Sequence, residues 1–408
     1  MTSVSPVDHI RRWTDELTRL RRDLHAHPEL GFEEHRTARL VCDRLTALRI
    51  EHHAGVGRTG VVAVVPGRSD RSGRRVGLRA DMDALPMQEE TGVAWRSRYD
   101  GRMHGCGHDG HTTMLLAAAQ YLSETRNFDG VAYLIFQPGE EGCAGAKAMI
   151  DDGLFERFPA ERVFALHNWP ALAAGRIGIT PGTAMAAADR IEITIDGRGG
   201  HGAHPHIAVD PVLVAGHIIT AAQSIVSRNV SPLDTAVVSL CAMQAGNPGA
   251  MSVIPAHAKL VGTVRTFRPA TQDLIERRLR ELVGSIAAAF GAKAELAYER
   301  VYPPTVNHDV EAGFAAEVAE TLVGRDNVVR NLEPSMGAED FAFMLQARPG
   351  AFARLGQGGA ERGCFLHSSR YDFNDSVTPL GAGYLAALVE RAMPLGRAGE
   401  PAPMGPQP

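Results

Sequence analysis

Cysteine is scarce in this 408-residue chain, and what there is does not pair. Cys42, Cys106, Cys143, Cys241 and Cys364 are an odd, scattered set, which excludes a disulfide framework as the organising device. Excess positive charge is also missing. The formal net charge is −5, so there is no basic field for nucleic acid and no polybasic stretch for an anionic membrane. The Arg-rich patch from Arg71 to Arg75 is short and reads as solvated loop. No apolar run approaches the roughly 20 residues that span a bilayer. The opening MTSVSPVDHI lacks the charged and apolar regions of a signal peptide, and a cytoplasmic location is expected.

What is present is ordinary globular composition, 44% hydrophobic and 22% charged, in a chain longer than one core usually organises. Two domains are therefore expected. Ile10, Trp13, Leu17, Leu20 and Leu24 recur at spacings of 3 and 4 and predict one opening helix that ends before Pro28. Short apolar runs follow at Val61 to Val65, Val76 to Ala80, Val131 to Phe136 and Val163 to Leu166. They lack alternation, as strands buried on both faces do. A helical stretch from about Gly110 to Thr125 lies between two of them, which is α/β patterning.

The pattern changes near Ala187. Ile191, Ile193 and Ile195 alternate with Glu192, Thr194 and Asp196, a half-exposed strand. Asp210-Pro211 opens a helix with a capping residue and a first-turn proline. Strand candidates at Thr235 to Met243 and His257 to Phe267, a helix from about Thr271 to Phe290 and a strand at Lys293 to Glu299 complete a β-α-β-β-α-β order. The expected division is a larger α/β domain with a mixed sheet, built from residues 1–186 and 302–408, with a ferredoxin-like unit inserted at 187–301. The Pro- and Gly-rich tail after about residue 395 reads as disordered.

Candidate chemistry gathers where apolar runs end. Met103-His104-Gly105-Cys106-Gly107-His108-Asp109-Gly110-His111 can turn a thiolate and an imidazole onto one cation. Taken alone, it is also a glycine loop capping a helix. Gln137-Pro138-Gly139-Glu140-Glu141-Gly142 places two adjacent carboxylates after a buried strand, a costly arrangement unless a cation binds there. One glutamate can then bind metal while the other acts as base. His167, after Val163 to Leu166, is a third such strand end; alone it would read as a loop histidine. Asp81 and Asp83 follow Val76 to Ala80 and could equally be turn residues. His367 lies far along the chain, beside Tyr371-Asp372-Phe373-Asn374-Asp375.

These residues sit in eight segments that occur in family order: RRDLHAHPELGFEE (21–34), LRADMDALPMQEETG (78–92), MHGCGHDGH (103–111), FQPGEEG (136–142), GGHGAHPH (199–206), GTVRTF (262–267), MGAEDFAFM (336–344) and LHSSRYDFND (366–375). Through them the chain resembles the zinc aminoacylase and carboxypeptidase family, in the branch of hippurate hydrolases and plant auxin-conjugate hydrolases. The resemblance implies a metal-dependent amidohydrolase acting on N-acyl amino acids, with dipeptidase or aminoacyl carboxypeptidase activity as the alternative enzyme reading. A catalytically weak, metal-bound binding protein is the non-enzyme alternative. It implies two divalent metal ions (zinc first; manganese, cobalt or nickel otherwise) held by Cys106, His108, Glu141, His167 and His367, with Cys106 bridging. Glu140 is implied as general base and later proton donor, and Asp83 as a carboxylate that orients a ligand.

By the same resemblance the inserted unit is a lid and homodimerisation domain. His201 resembles a histidine that supports the oxyanion, and Arg265 a residue that grips the substrate's free carboxylate. From their surroundings alone His201 could be a loop histidine and Arg265 a strand-surface charge. The chain departs from the family pattern at Ser252, where an asparagine is usual, at Ala256, where an aspartate is usual, and at Ser369, where a proline is usual. Those changes bear on substrate preference or rate. They remove neither an implied ligand nor the base.

Overall fold

The computed structural model describes residues 5–396, and most of the tail expected to be disordered lies outside them. The chain divides into two compact units: residues 1–184, 306–333 and 340–408, and residues 185–305 with 334–339. The second unit thus starts two residues before the expected boundary, ends four after it, and takes in a short segment far along the sequence. That segment joins it through Ser335, whose carbonyl accepts the Ala186 N–H at 3.0 Å.

The expected opening helix is two, Pro6–Arg11 (α1) and Thr14–His25 (α2). Thr14 Oγ1 donates to the Arg11 carbonyl at 2.7 Å, and a side-chain bond of this kind competes with the helical ladder. Ile10, Leu17, Leu20 and Leu24 remain buried on one face despite the break. The chain continues through His35–Ala47 (α3), Glu51–Val56 (β1), Gly60–Pro66 (β2), Arg75–Asp81 (β3), His108–Thr125 (α4) and Val131–Gln137 (β4). Three short helices, Glu140–Cys143 (α5), Gly145–Asp151 (α6) and Leu154–Arg157 (α7), lead to Arg162–Trp169 (β5), Ile177–Gly178 (β6) and Gly182–Met185 (β7).

The second unit runs Ala187–Asp196 (β8), Gly200–His201 (β9), Pro211–Arg228 (α8), Ala236–Ala245 (β10), Val253–Ile254 (β11), His257–Thr266 (β12), Pro269–Ala289 (α9) and Lys293–Tyr302 (β13). Its four long strands pair antiparallel in the order β10-β12-β8-β13, the split βαββαβ arrangement. Ile191, Ile193 and Ile195 are fully buried on one face of β8, each stabilising the unit by about 1.5–3 kcal/mol. They pack with Ile218, Ile225, Ile275 and Leu279 from the two helices. Asp210 caps α8 by accepting the Val212 N–H at 2.8 Å. Asp210→Ala should lower stability by about 0.5–2 kcal/mol, read as a shift in the denaturant midpoint; no shift would mean that the proline alone starts the helix.

The chain then returns through Thr305–Asn307 (β14), Asp309–Val323 (α10), Val328–Val329 (β15), Phe341–Ala347 (α11), Gly350–Gly356 (β16) and Thr378–Ala392 (α12). The large sheet has the order β1-β2-β4-β3-β5-β16-β6-β15. Its centre, β4-β3-β5-β16, is parallel, while β2 joins antiparallel at one side and β6 at the other. The predicted apolar runs form β2, β3, β4 and β5 and are buried almost throughout. Helix α4, flanked by α2 and α12, lies against β3. The carboxyl ends of β4, β3 and β5 therefore lie side by side. No helix among the described residues is long and apolar enough to cross a membrane.

Candidate metal centre and its surroundings

Open α/β sheets place their sites at the carboxyl ends of parallel strands, and the candidate residues collect there. The strand ends deliver Asp81 (β3), the Glu140-Glu141 turn (after β4) and His167 (β5). The loop into α4 adds Cys106 and His108. Between them Gly107 has φ +92°, and a Cβ there would stand 2.2 Å from Asn168 Nδ2 and 2.5 Å from the Tyr371 hydroxyl. Glycine is thus required for the turn that brings a thiol and an imidazole two residues apart to one side.

Ligand atoms of Cys106, His108 and Glu141 all lie within 4.8 Å of one another. Cys106 Sγ is 3.4 Å from His167 Nε2, and Glu141 Oε1 is 3.3 Å from His367 Nε2. All five expected ligands thus form one cluster. Two of its atoms, His108 Nε2 and Glu141 Oε1, are buried without a hydrogen-bond partner, an unfavourable state that a bound cation relieves. The tautomers agree with this fit. His108 Nδ1 faces the Asp83 carbonyl at 2.9 Å and Asp83 Oδ1 at 3.2 Å, and His167 Nδ1 faces the Asn168 carbonyl at 2.7 Å. In the neutral, ligating form of each ring the proton therefore sits on Nδ1, and the Nε2 lone pair faces the cluster. Asp83 Oδ2 also accepts the Glu141 N–H at 2.9 Å, so one carboxylate orients two of the candidate ligands.

Charge is crowded here. Burial pushes the Cys106 thiol well above its usual range, and Glu141, Glu140 and Asp81 push it further. Burial opposes a charge on His108, yet Asp81, Asp83 and Glu141 outweigh it and raise the imidazole to about 10. His167, by burial and the neighbouring His111, is held well below the ordinary histidine value. A site this rich in carboxylates, with a buried thiol, is electrostatically prepared for cations, and loading it must release protons.

Glu140 is buried beside this cluster, 6% exposed, and accepts the Asp340 N–H on Oε1 at 3.4 Å. The preceding residue, Gly139, has φ +56°. Its N–H donates to Glu34 Oε1 at 2.8 Å, and burial pushes that carboxyl up to about 7. Asp340 accepts from Arg79 at 3.0 Å, Gln137 at 2.7 Å and the Ala146 N–H at 2.8 Å. Glu34, Arg79, Gln137 and Asp340 thus hold the turn that carries Glu140 and Glu141. None of the four is among the residues that the sequence marks for a role, although all lie within the family-like segments. Arg79 carried a usable signal, being a charge inside an otherwise apolar strand.

His367 adopts a left-handed conformation, φ +62°, which is strained for a residue with a Cβ. Its N–H donates to the Gly105 carbonyl at 2.8 Å, tying it to the loop that carries Cys106. Ser369 Oγ donates to Glu90 at 2.7 Å. Beyond it, Arg21 donates to Asp375 at 2.7 Å and Trp95 to Asp372 at 3.2 Å. Fully buried His25 bridges Asp109 at 2.8 Å and Glu89 at 3.4 Å. Burial alone would keep His25 neutral, but these two carboxylates prevail and lift it from 6.5 to about 9. A raised histidine pKa contributes stability that is fully present below the unfolded value and lost as pH rises through the folded one. Metal-free protein should therefore lose stability from pH 6.5 to about 9, and His25→Gln should flatten that slope in denaturant titrations. An unchanged slope would mean that His25 is neutral in the fold.

His201 and Arg265 belong to the second unit. His201 is exposed on β9, which pairs with β11, and its Nδ1 accepts the Ala203 N–H at 3.0 Å. The Gly202 N–H donates to the Ser252 carbonyl at 2.7 Å, so the unusual Ser252 tethers the histidine's own loop. Arg265 lies on β12 between Val237 and Ala188. It is half-buried, and burial lowers its pKa. Among the described residues, none is hydrogen-bonded to its side chain or paired with it.

The sequence profile of Peptidase family M20/M25/M40 matches residues 77–391. The chain belongs to this family. It is 43% identical over 373 residues to a hippurate hydrolase of Campylobacter jejuni, covering 91% of this chain and 95% of that protein. It is 39% identical to an N-acetylcysteine deacetylase of Bacillus subtilis, over 91% of this chain and 95% of that protein. Among solved structures, the YXEP protein of Bacillus subtilis, described as a dinuclear metal binding peptidase from the M20 family, superposes with a TM-score of 0.80 at 34% identity. That match covers 94% of this chain and 99% of that one.

Proposed function

We propose that this member of the M20/M25/M40 peptidase family is a metal-dependent amidohydrolase that cleaves the linear amide bond of N-acyl amino acids. The observation that carries the reading is the cluster of buried Cys106, His108 and His167 with partly buried Glu141 and exposed His367, in which two buried ligand atoms lack a hydrogen-bond partner and Glu140 stands one residue from a ligand. The names of the relatives, a hippurate hydrolase and an N-acetylcysteine deacetylase, support this substrate class. The cluster would hold two divalent ions, and its thiol–imidazole–carboxylate set suits zinc, with manganese, cobalt or nickel as substitutes. When bound, such ions supply Lewis acidity toward the scissile carbonyl and toward water. Glu140 takes the proton of the attacking water and returns it to the departing nitrogen. Asp83 keeps His108 in the ligand tautomer.

In the second unit, the unpaired Arg265 fits a free substrate carboxylate, and exposed His201 fits the role of an oxyanion donor. Arg265→Ala should then lower kcat/KM for substrates with a free carboxylate far more than for their amides; equal losses on both would remove the clamp role. The exposed Leu213 of α8 and Met243 of the edge strand β10 support homodimerisation through this unit. The unpaired thiols suit the reducing cytoplasm.

The deciding experiment is amine release from N-acyl amino acids and dipeptides, hippurate and N-acetyl compounds among them, with zinc, manganese or cobalt and with a chelator. Release that depends on metal supports the reading, and the best substrate separates acyl amino acid from dipeptide. Metal-loaded protein inert on the whole panel would sink it.

A further inference from the structure

We propose that Asn168 is a positioning residue that sets Cys106 and His167 as a ligand pair, with His111 and Asp81 holding it from behind. The proposal rests on the reading of Cys106 and His167 as metal ligands. Asn168 is wholly buried, and each of its polar groups has a partner. Its backbone carbonyl accepts His167 Nδ1–H at 2.7 Å, which leaves His167 Nε2 as the lone pair facing Cys106 Sγ. Its Nδ2 donates to the Cys106 carbonyl at 2.5 Å. The backbone of this one residue thus fixes the tautomer of one ligand, and its carboxamide holds the backbone of the other.

The remaining bonds fix Asn168 itself. Its Oδ1 accepts the Tyr371 hydroxyl at 2.9 Å. Its backbone N–H donates to His111 Nε2 at 2.9 Å, and Nδ2 lies 3.0 Å from the same nitrogen. His111 can accept there only if its proton sits on Nδ1, and that nitrogen lies 2.6 Å from Asp81 Oδ1. Asp81 is in turn bonded to Arg79 at 2.6 Å. The orientation of the amide follows from this chain: Nδ2 must face His111 and Cys106, and Oδ1 must face Tyr371.

His111 lies close to other candidate ligands, in a group with Asp81, His108 and His167. Both its ring nitrogens are already engaged, so it serves the site through Asn168 and not as a ligand. Partners of this kind around metal sites are typically worth roughly 10- to 100-fold in metal affinity.

The test is cobalt titration of metal-free protein in a competing chelator, following the thiolate-to-cobalt charge-transfer band. Wild-type protein should bind with a thiolate band. Asn168→Ala should bind cobalt roughly 10- to 100-fold more weakly, with a weakened or displaced band. Tyr371→Phe, which removes one hydroxyl and keeps the packing, should move both readouts in the same direction by less. A merely structural role would lower the melting temperature of metal-free protein and leave band position and affinity alone, and that result overturns the proposal. If Asn168→Ala does not fold, Tyr371→Phe decides, and an unaltered band and affinity there overturn it too. A wild-type protein that binds cobalt without any thiolate band would instead remove Cys106 from the ligand set, which is a failure of the underlying reading and is seen separately.

Discussion

Glu140→Gln should keep its metal and lose roughly 10²- to 10⁴-fold in turnover, the usual range for a deleted general acid–base. The substitution is isosteric. Glutamine retains an oxygen that can accept the Asp340 N–H, now 3.4 Å from Oε1, and Gly139 stays pinned by Glu34 at 2.8 Å. The turn, and with it Glu141, should therefore hold its place, and only the proton acceptor is gone. Amine release and metal analysis on the same sample check both halves. The pH profile adds a third readout, because the acidic limb of kcat/KM that reports the base should disappear. Near-normal turnover in a metal-loaded variant would show that another group moves the proton. Loss of metal in step with activity would instead make Glu140 a ligand.

Glu140 is marked in the sequence by its place after a buried strand, and the residues that support it are marked far less. Periodicity alone located β3, β4, β5 and β8, because burial on two faces or one leaves a direct imprint on residue type. The helix start at Asp210-Pro211 was legible for an equally local reason, since a cap is satisfied within three residues. Cys106, His108, Glu140, Glu141, His167 and His367 could be named because each stands at a strand end or in a glycine turn, and because the segments resemble a family. The residues behind them left weaker traces. Glu34 meets Gly139 across 105 positions, and Arg79 meets Asp340 across 261. A partner that only tertiary folding supplies has no period in sequence. The break at Thr14 leaves no mark in the hydrophobic pattern because the apolar stripe continues across it. Ser335 and Gly337 join the second unit through their backbone carbonyls, which accept the Ala186 N–H, and a backbone carbonyl leaves no trace in residue type.

The second large effect is expected at Arg79. Arg79→Met should destabilise the metal-free protein by about 3–5 kcal/mol, because it leaves carboxylates buried without their cation. The Asp81 and Asp340 side chains are 1% and 0% exposed, and both pair with this guanidinium, at 2.6 and 3.0 Å. Methionine fills similar volume, so the loss measures charge more than cavity. An internal control comes from the same strand. Arg75 pairs with Asp70 at 2.6 Å too, but these side chains are 23% and 48% exposed. Water and salt screen that pair, and Arg75→Met should cost only about 0–1 kcal/mol. Distance is thus equal for Arg79–Asp81 and Arg75–Asp70 while burial differs, and burial should decide. Denaturant midpoints of the two variants, taken side by side, test this. Comparable small losses would mean that Asp81 and Asp340 take up protons or water when the arginine leaves, and that the electrostatic support of the Glu140 turn is weaker than its geometry implies.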